Sequence, residues 1–393
     1  MLCQQLARMG HEVTVIATVP HYPTGRVDNK NGKKGWIQHS FEDGVNVVRI
    51  RKPSGNRNNF VHRLFQYFVY QLGATIAGLR CEYDAVLITN PALEVFIAFV
   101  FLVFLVVQAL SFLVADVYPQ VGIQLGIFRN RFVIGVVDAI ERFCLHHSRL
   151  VWIFSDSFRM ELKRMGVPDD KMVLVHSWVD TEFIRILPRT NSFSEAFQLN
   201  EKFVVLYAGN IGLSQDWESV LTAAHELSER DDILFVLVGD GSGKAALQTR
   251  VGEQNLRNLR FIEFQPHERI PEVLATADVS IATLQSGMAA GSIPSKIFSY
   301  LASGRPVIGI LDEDSDACRL IHHSGGGVCV APANSKLFAK YILDLKESQN
   351  RRDAMGRAGR SYVENNHSVT YVAKRVEEML LQVRNLPRDV VDV

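Results

Sequence analysis

Apolar positions along this chain alternate between two rhythms. Short Val/Ile/Leu-rich runs occur at "HEVTVIAT" (11–18), "VNVVRIRK" (45–52), "YDAVLITN" (83–90), "SFLVAD" (111–116), "LVWIFS" (150–155) and "KMVLVHS" (171–177). Such continuous runs mark strands buried on both faces. Between them, residues 62–79 and 133–147 carry apolar positions at helical spacing. The opening "MLCQQLARMGHEVTVIA" reads as a helix that runs straight into a strand, with no signal-peptide pattern.

The second half repeats the rhythm. Strands are predicted at 203–210, 233–241, 259–264, 278–283, 305–311 and 327–332, with helices at 217–229, 244–254, 269–276 and 294–303. The charged tail, 336–385, is helical throughout. Alternation of this kind predicts α/β architecture: two parallel, doubly wound sheets that face each other, with ligands at the carboxyl ends of the strands. The polar stretch "ILPRTNSFSEAFQLNEK" reads as the connection. The expected organisation is a first domain over 1–186, a linker over 187–202 and a second domain over 203–365, with helices over 366–385 returning to the first.

One run strains this picture. "VFIAFVFLVFLVVQALSFLVAD" (95–116) has only Gln108 and Ser111 as polar residues between Val95 and Ala115. That is long enough to span a bilayer as one helix. The α/β context favours a buried helix followed by a buried strand ending at Asp116.

Composition narrows the chemistry. The 393 residues carry no formal net charge, which argues against a nucleic-acid partner. The five cysteines (Cys3, Cys81, Cys144, Cys318, Cys329) form no CxxC, so neither a disulfide framework nor a zinc site is expected, and a reducing compartment is. The histidines show no metal-ligand spacing, and no metal is expected.

Chemistry concentrates in glycine-rich turns of the second half. "YAGNIGLSQDWESV" places Gly209, Asn210 and Gly212 between a strand and a helix, and "VLVGDGSGKAAL" does the same with Gly239, Asp240, Gly241 and Gly243. Turn amides of this type can cradle phosphate. Neither turn is a standard fingerprint. Gly239 and Gly243 enclose three residues, where a P-loop needs four, and Ala246 stands where a dinucleotide motif needs its third glycine. In "IPSKIFSYLASGRPVI", Pro294 reads as the first helical residue, with Ser292 or Ser295 as its cap. Lys296 then sits in the first turn, where the helix dipole disfavours a cation. A bound diphosphate would explain it, and so would a solvated surface position. Arg305 has the same two readings.

Four stretches in this order, "GHEVTVIATVPHYPTG", "YAGNIGLSQDWESV", "LVGDGSGKAAL" and "IPSKIFSYLASGRPVI", resemble family-4 glycosyltransferases of the GT-B fold. With "FLVADVYPQVGIQLG", the chain is most similar to the colanic-acid and fucosamine-transferase branch. The resemblance implies two facing Rossmann-like domains. It also implies metal-independent, retaining transfer from a UDP- or GDP-linked nucleotide-sugar, with no cofactor. By resemblance, Gly209, Asn210 and Gln215 lie beside the donor diphosphate, Pro294, Ser295 and Lys296 form its cradle, and Gly239, Asp240 and Gly241 line the nucleoside. Asp116 is the candidate for acceptor activation, or else a turn carboxylate. A polyprenyl-linked saccharide acceptor and a peripheral place on the inner face of the plasma membrane follow from the same resemblance. The "RLFQYFVYQL" helix and the 95–116 run offer apolar contact with that surface.

The chain departs from the family in several places. Gly291 and Ser299 stand where many members carry two glutamates, Asn210 and Gln215 where many carry Arg and Lys, and His176-Ser177 where Pro-Asn is usual. Relatives also begin with a strand and a glycine-rich loop, about 20 residues that this sequence does not show. Two other readings therefore accompany the transferase: a nucleotide-sugar 2-epimerase of the same fold, and a membrane-associated remnant without activity.

Overall fold

The computed structural model describes residues 1–19, 35–53, 60–105, 109–124, 126–288 and 293–385. The chain divides into two compact units: Met1–His176 together with the chain from Val372, and Ser177–Tyr371.

In the first unit, β1 (Val13–Thr18), β2 (Ile37–Glu42) and β3 (Val45–Ile50) form one sheet, ordered β1-β3-β2. β1 runs parallel to β3, and β2 antiparallel to it. A second, wholly parallel sheet contains β4 (Val86–Thr89), β5 (Leu110–Val114), β6 (Leu150–Ile153) and β7 (Met172–Leu174) in sequence order. This corrects the expectation of a single sheet. Among the described strands β1 pairs only with β3 and β4 only with β5, so the ladder is interrupted between them. β2 escaped the sequence reading because only Ile37 and Phe41 are apolar in it. Its signal is the Asp43-Gly44 turn, both residues at positive φ (47° and 85°), a tight hairpin geometry.

The apolar run resolves as helix and strand. A helix covers Phe96–Leu105, and β5 follows with every residue buried. Ten helical residues extend only about 15 Å, half a bilayer core. Among the described residues no helix is long and apolar enough to cross a membrane.

The second unit holds six parallel strands: β8 (Phe203–Ala208), β9 (Ile233–Val238), β10 (Leu259–Ile262), β11 (Val279–Thr283), β12 (Val307–Ile310) and β13 (Gly327–Val330). Their order is β10-β9-β8-β11-β12-β13. Both faces of this sheet are apolar: Val204 and Leu206 enter one core, while Phe203, Val205 and Tyr207 enter the other. The order reverses between β8 and β11, which makes their carboxyl ends the place for a ligand.

Residues 187–202 are no free linker. Asn191 caps a short helix (Ser192–Ala196), Phe193 and Leu199 are fully buried in the second unit's core, and Arg189 pairs with Asp278. The unit boundary therefore falls near His176 rather than 186. The return to the first unit begins at Val372, within the final helix Val369–Asn385.

Candidate functional site

Gly209 follows β8 directly, with φ of 138°, and the helix Lys296–Ala302 follows β11. The two elements bracket the switch point. They are locked together by Tyr300, whose hydroxyl donates to the Ala208 carbonyl (3.0 Å) and accepts from the Ala208 amide (2.9 Å). Tyr300 lies one turn beyond Lys296 on the same face of its helix. This fixes the lysine relative to Gly209.

Lys296 is half-buried rather than a free surface cation. Its Nζ donates to the Tyr207 hydroxyl and lies 3.9 Å from the centre of the Tyr207 ring. A Cβ placed on Gly209 would sit 3.6 Å from Lys296 Nζ, so the ammonium faces this turn. Burial lowers the lysine's pKa from 10.5 to about 7. Tyr207 in turn donates to the Asn210 carbonyl (2.6 Å) and packs edge-on against Trp217. Tyr207 and Tyr300 were missed in the sequence. The available signals were a tyrosine two residues before Gly209 and another four residues after Lys296.

The glycine turns interlock. The Ile211 amide donates to the Asp240 carbonyl (2.8 Å) and the Gly243 amide to the Ile211 carbonyl (2.9 Å). A Cβ on Gly239 would fall far inside 3.0 Å of the Gly209 carbonyl oxygen, and one on Gly241 equally close to that of Ile211. Much of the glycine content is thus required for main-chain packing between the turns. Gln215, buried, closes the first turn by accepting from the Gly212 amide (2.8 Å). Asp240 is exposed and accepts from the Gly241 amide.

The head of the lysine helix differs from expectation. The helix starts at Lys296, so Pro294 precedes it rather than opening it, and Ser295 occupies the cap position with no side-chain cap bond. Ser292 and Gly291 lie outside the described residues. Ser299 is half-buried on the helix. Arg305 is not part of this site: its guanidinium donates to the Leu187 carbonyl (3.1 Å).

In the first unit, Asp116 stands just past β5, half-buried, with its carboxyl pKa raised by burial. Its backbone is anchored from β4. The Asn90 amide nitrogen donates to the Asp116 carbonyl, and the Ala115 amide donates back to the Asn90 side-chain oxygen (2.9 Å). Beneath Asn90 lies Glu141, 2% exposed, which accepts from Asn90 Nδ2 (3.0 Å) and the Ala92 amide (3.0 Å). Burial raises its pKa to about 7. Glu141 was not singled out in the sequence, where it is one charge in a helix, Arg131–His147.

The fold also gathers cysteines that the sequence left scattered. Cys318, His322 and Cys329 are brought together, with one ligand atom from each within 4.8 Å of the others. The grouping joins a helix (Asp316–His323) to β13; the four-residue spacing of Cys318 and His322 was the signal in the sequence, and Cys329 joins only in the fold.

Two family models match successive parts of the chain: a glycosyl transferase 4-like domain over residues 1–178, and glycosyl transferases group 1 over residues 189–362. The chain belongs to the family-4 glycosyltransferases of the GT-B fold, and it is a transferase enzyme. It is 25% identical over 342 residues to the putative colanic acid biosynthesis glycosyl transferase WcaI of Escherichia coli, covering 84% of this chain and 83% of the relative. It is likewise 25% identical to the probable glycosyltransferase WbjE of Pseudomonas aeruginosa, covering 80% and 79%. In fold it is similar to sucrose-phosphate synthase from Thermosynechococcus elongatus (TM-score 0.74, 14% identity, 97% and 91% of the two chains). Anabaena Alr3699/HepE, solved in complex with UDP, is also similar (TM-score 0.70, 14% identity, 95% and 100%).

Proposed function

We propose that the second unit binds a UDP- or GDP-linked sugar with its diphosphate against Gly209, Asn210, Ser295 and Lys296. The sugar passes to a polyprenyl-linked saccharide during surface-polysaccharide synthesis, without a metal cofactor and with retention of configuration. The observation that carries this reading is Lys296: a half-buried ammonium whose partner is a neutral tyrosine, facing a glycine turn at the switch point. A diphosphate supplies the counter-charge such a group needs. As the glycosidic bond breaks, charge grows on the leaving phosphate, and a fixed cation there stabilises the transition state more than the ground state. The polysaccharide role draws on the similarity to WcaI, a putative colanic acid biosynthesis glycosyl transferase, and the donor on HepE, solved in complex with UDP and with UDP-glucose.

Asp116 is assigned to the acceptor hydroxyl, as a base or hydrogen-bond acceptor held in place by Asn90. Its raised pKa favours proton uptake relative to an ordinary aspartate. The membrane contact rests on exposed apolar side chains in the first unit. Phe65, Phe68 and Leu72 on helix Phe60–Gly78, Phe101 and Phe104 on helix Phe96–Leu105, and Phe132 on helix Arg131–His147 are all exposed. The middle helix packs against both others, and exposed apolar side chains on neighbouring helices suit a bilayer interface on the inner face of the plasma membrane.

The test is transfer itself. The purified chain is incubated with UDP- and GDP-sugars and a lipid-linked saccharide pool, with and without chelator. Acceptor-dependent release of nucleoside diphosphate, insensitive to chelator, is expected. Interconversion of donor sugars at C2 without acceptor would instead identify an epimerase.

A further inference from the structure

We propose that Cys318, His322 and Cys329 form a zinc site that pins the helix Asp316–His323 to β13 at the edge of the second unit's sheet. This assignment is independent of the donor reading.

The geometry is close to what the ion requires. Zinc binds thiolate at about 2.3 Å and imidazole at about 2.0 Å, so donors at tetrahedral corners lie roughly 3.5–3.8 Å apart. Here the three donor atoms already lie within 4.8 Å of one another. Cys318 and His322 are four residues apart on one helix and therefore share a face. Cys329 comes from the adjacent strand, its thiol directed at the Cys318 carbonyl (3.8 Å). Gly309 on β12 packs closely against this thiol: a Cβ there would stand 3.0 Å from Cys329 Sγ.

The environment is graded as a metal site needs. Cys318 is 1% exposed, Cys329 partly buried and His322 exposed, so the thiols are shielded while one side stays open to the ion. Two sulfurs and one imidazole are a soft-to-borderline donor set that selects zinc over magnesium or calcium. The fourth position, on the exposed histidine side, is left to solvent. Without a cation, cysteine thiols are protonated at neutral pH. Binding of one Zn²⁺ breaks two S–H bonds, forms two Zn–S bonds and one Zn–N bond, and releases two protons.

The experiment uses the full chain, reduced and stripped of metal, titrated with Zn²⁺ against a chromophoric chelator and separately with Cd²⁺. One equivalent of Zn²⁺ is expected, with a Cd–thiolate charge-transfer band of two-thiolate intensity. Cys329→Ser abolishes the band, and Cys3→Ser with Cys81→Ser leaves it unchanged. His322→Ala, an exposed change that spares the core, weakens Zn²⁺ binding at least about tenfold. Binding well below one equivalent overturns the site, as does affinity unchanged in both His322→Ala and Cys329→Ser. A Cys318–Cys329 disulfide forming in air with no metal uptake by the reduced protein also overturns it.

Discussion

Replacing Lys296 with methionine should make the ligand-free protein more stable and the enzyme nearly inactive. Burial takes the ammonium's pKa from 10.5 to about 7, which corresponds to a cost of about 5 kcal/mol for keeping it charged. Methionine also gives up the lysine's contacts with the Tyr207 hydroxyl and ring. A net gain of ~1–2 kcal/mol therefore remains for the variant. The sign follows from linkage. Below pH 7 the lysine is protonated both folded and unfolded, and the penalty is complete. It fades as pH rises towards 10.5, because the folded state sheds the proton first. Methionine keeps the stem and removes the charge, and Tyr207 retains its bond to Asn210. Thermal unfolding at pH 6 should rise by about 2–8 °C, and the gain should shrink by pH 9. Turnover should fall by about 10²–10³, the usual effect of removing one fixed electrostatic group. Wild-type turnover in the variant refutes the phosphate role. A variant both inactive and less stable would make Lys296 a packing residue instead.

Gly239→Ala drives a methyl into the Gly209 carbonyl; we expect a loss of at least about 3 kcal/mol, read by denaturant unfolding, and loss of donor binding with it. Glu141, ordinarily near 4.5, is held up to about 7, so its contribution is complete below pH 4.5 and is lost as pH rises through 7. Glu141→Gln should flatten the decline of melting temperature across pH 5–7.5 and cost about 1–3 kcal/mol at pH 8, where one N–H donor loses its acceptor; an unchanged slope rejects the assignment. Phe104→Ser with Phe132→Ser should weaken sedimentation with anionic vesicles while leaving the unfolding temperature within about 2 °C, since both side chains are exposed. Equal vesicle binding would remove those helices from the interface.

The second unit was legible because its strands are uniformly apolar and its turns are punctuated by glycine. All six strands lie where the pattern put them, with ends shifted by a few residues. The first unit was harder. β2 is half polar and announced only by Asp43-Gly44, and the division of its strands into two sheets is a matter of pairing, which periodicity does not encode. At the site, Lys296 and Gly209 were visible because each violates a local rule: a cation at a helix start, a glycine at a strand end. Tyr207, Tyr300, Asn90 and Glu141 violate none. Their roles come from partners 3 to 92 residues away, and only the folded chain brings these together.

If Lys296 holds the donor diphosphate as proposed, its seat on a tyrosine also ties donor capture to the proton supply. Burial lowers its pKa to about 7, so near neutral pH part of the free protein lacks the charge. A diphosphate that raises that pKa draws a fraction of a proton from the medium on binding, more at pH 8 than at pH 7. Calorimetric heats of binding would then vary with the ionisation enthalpy of the buffer. Affinity for the donor would strengthen on mild acidification, and the cation would arrive together with the anion it serves.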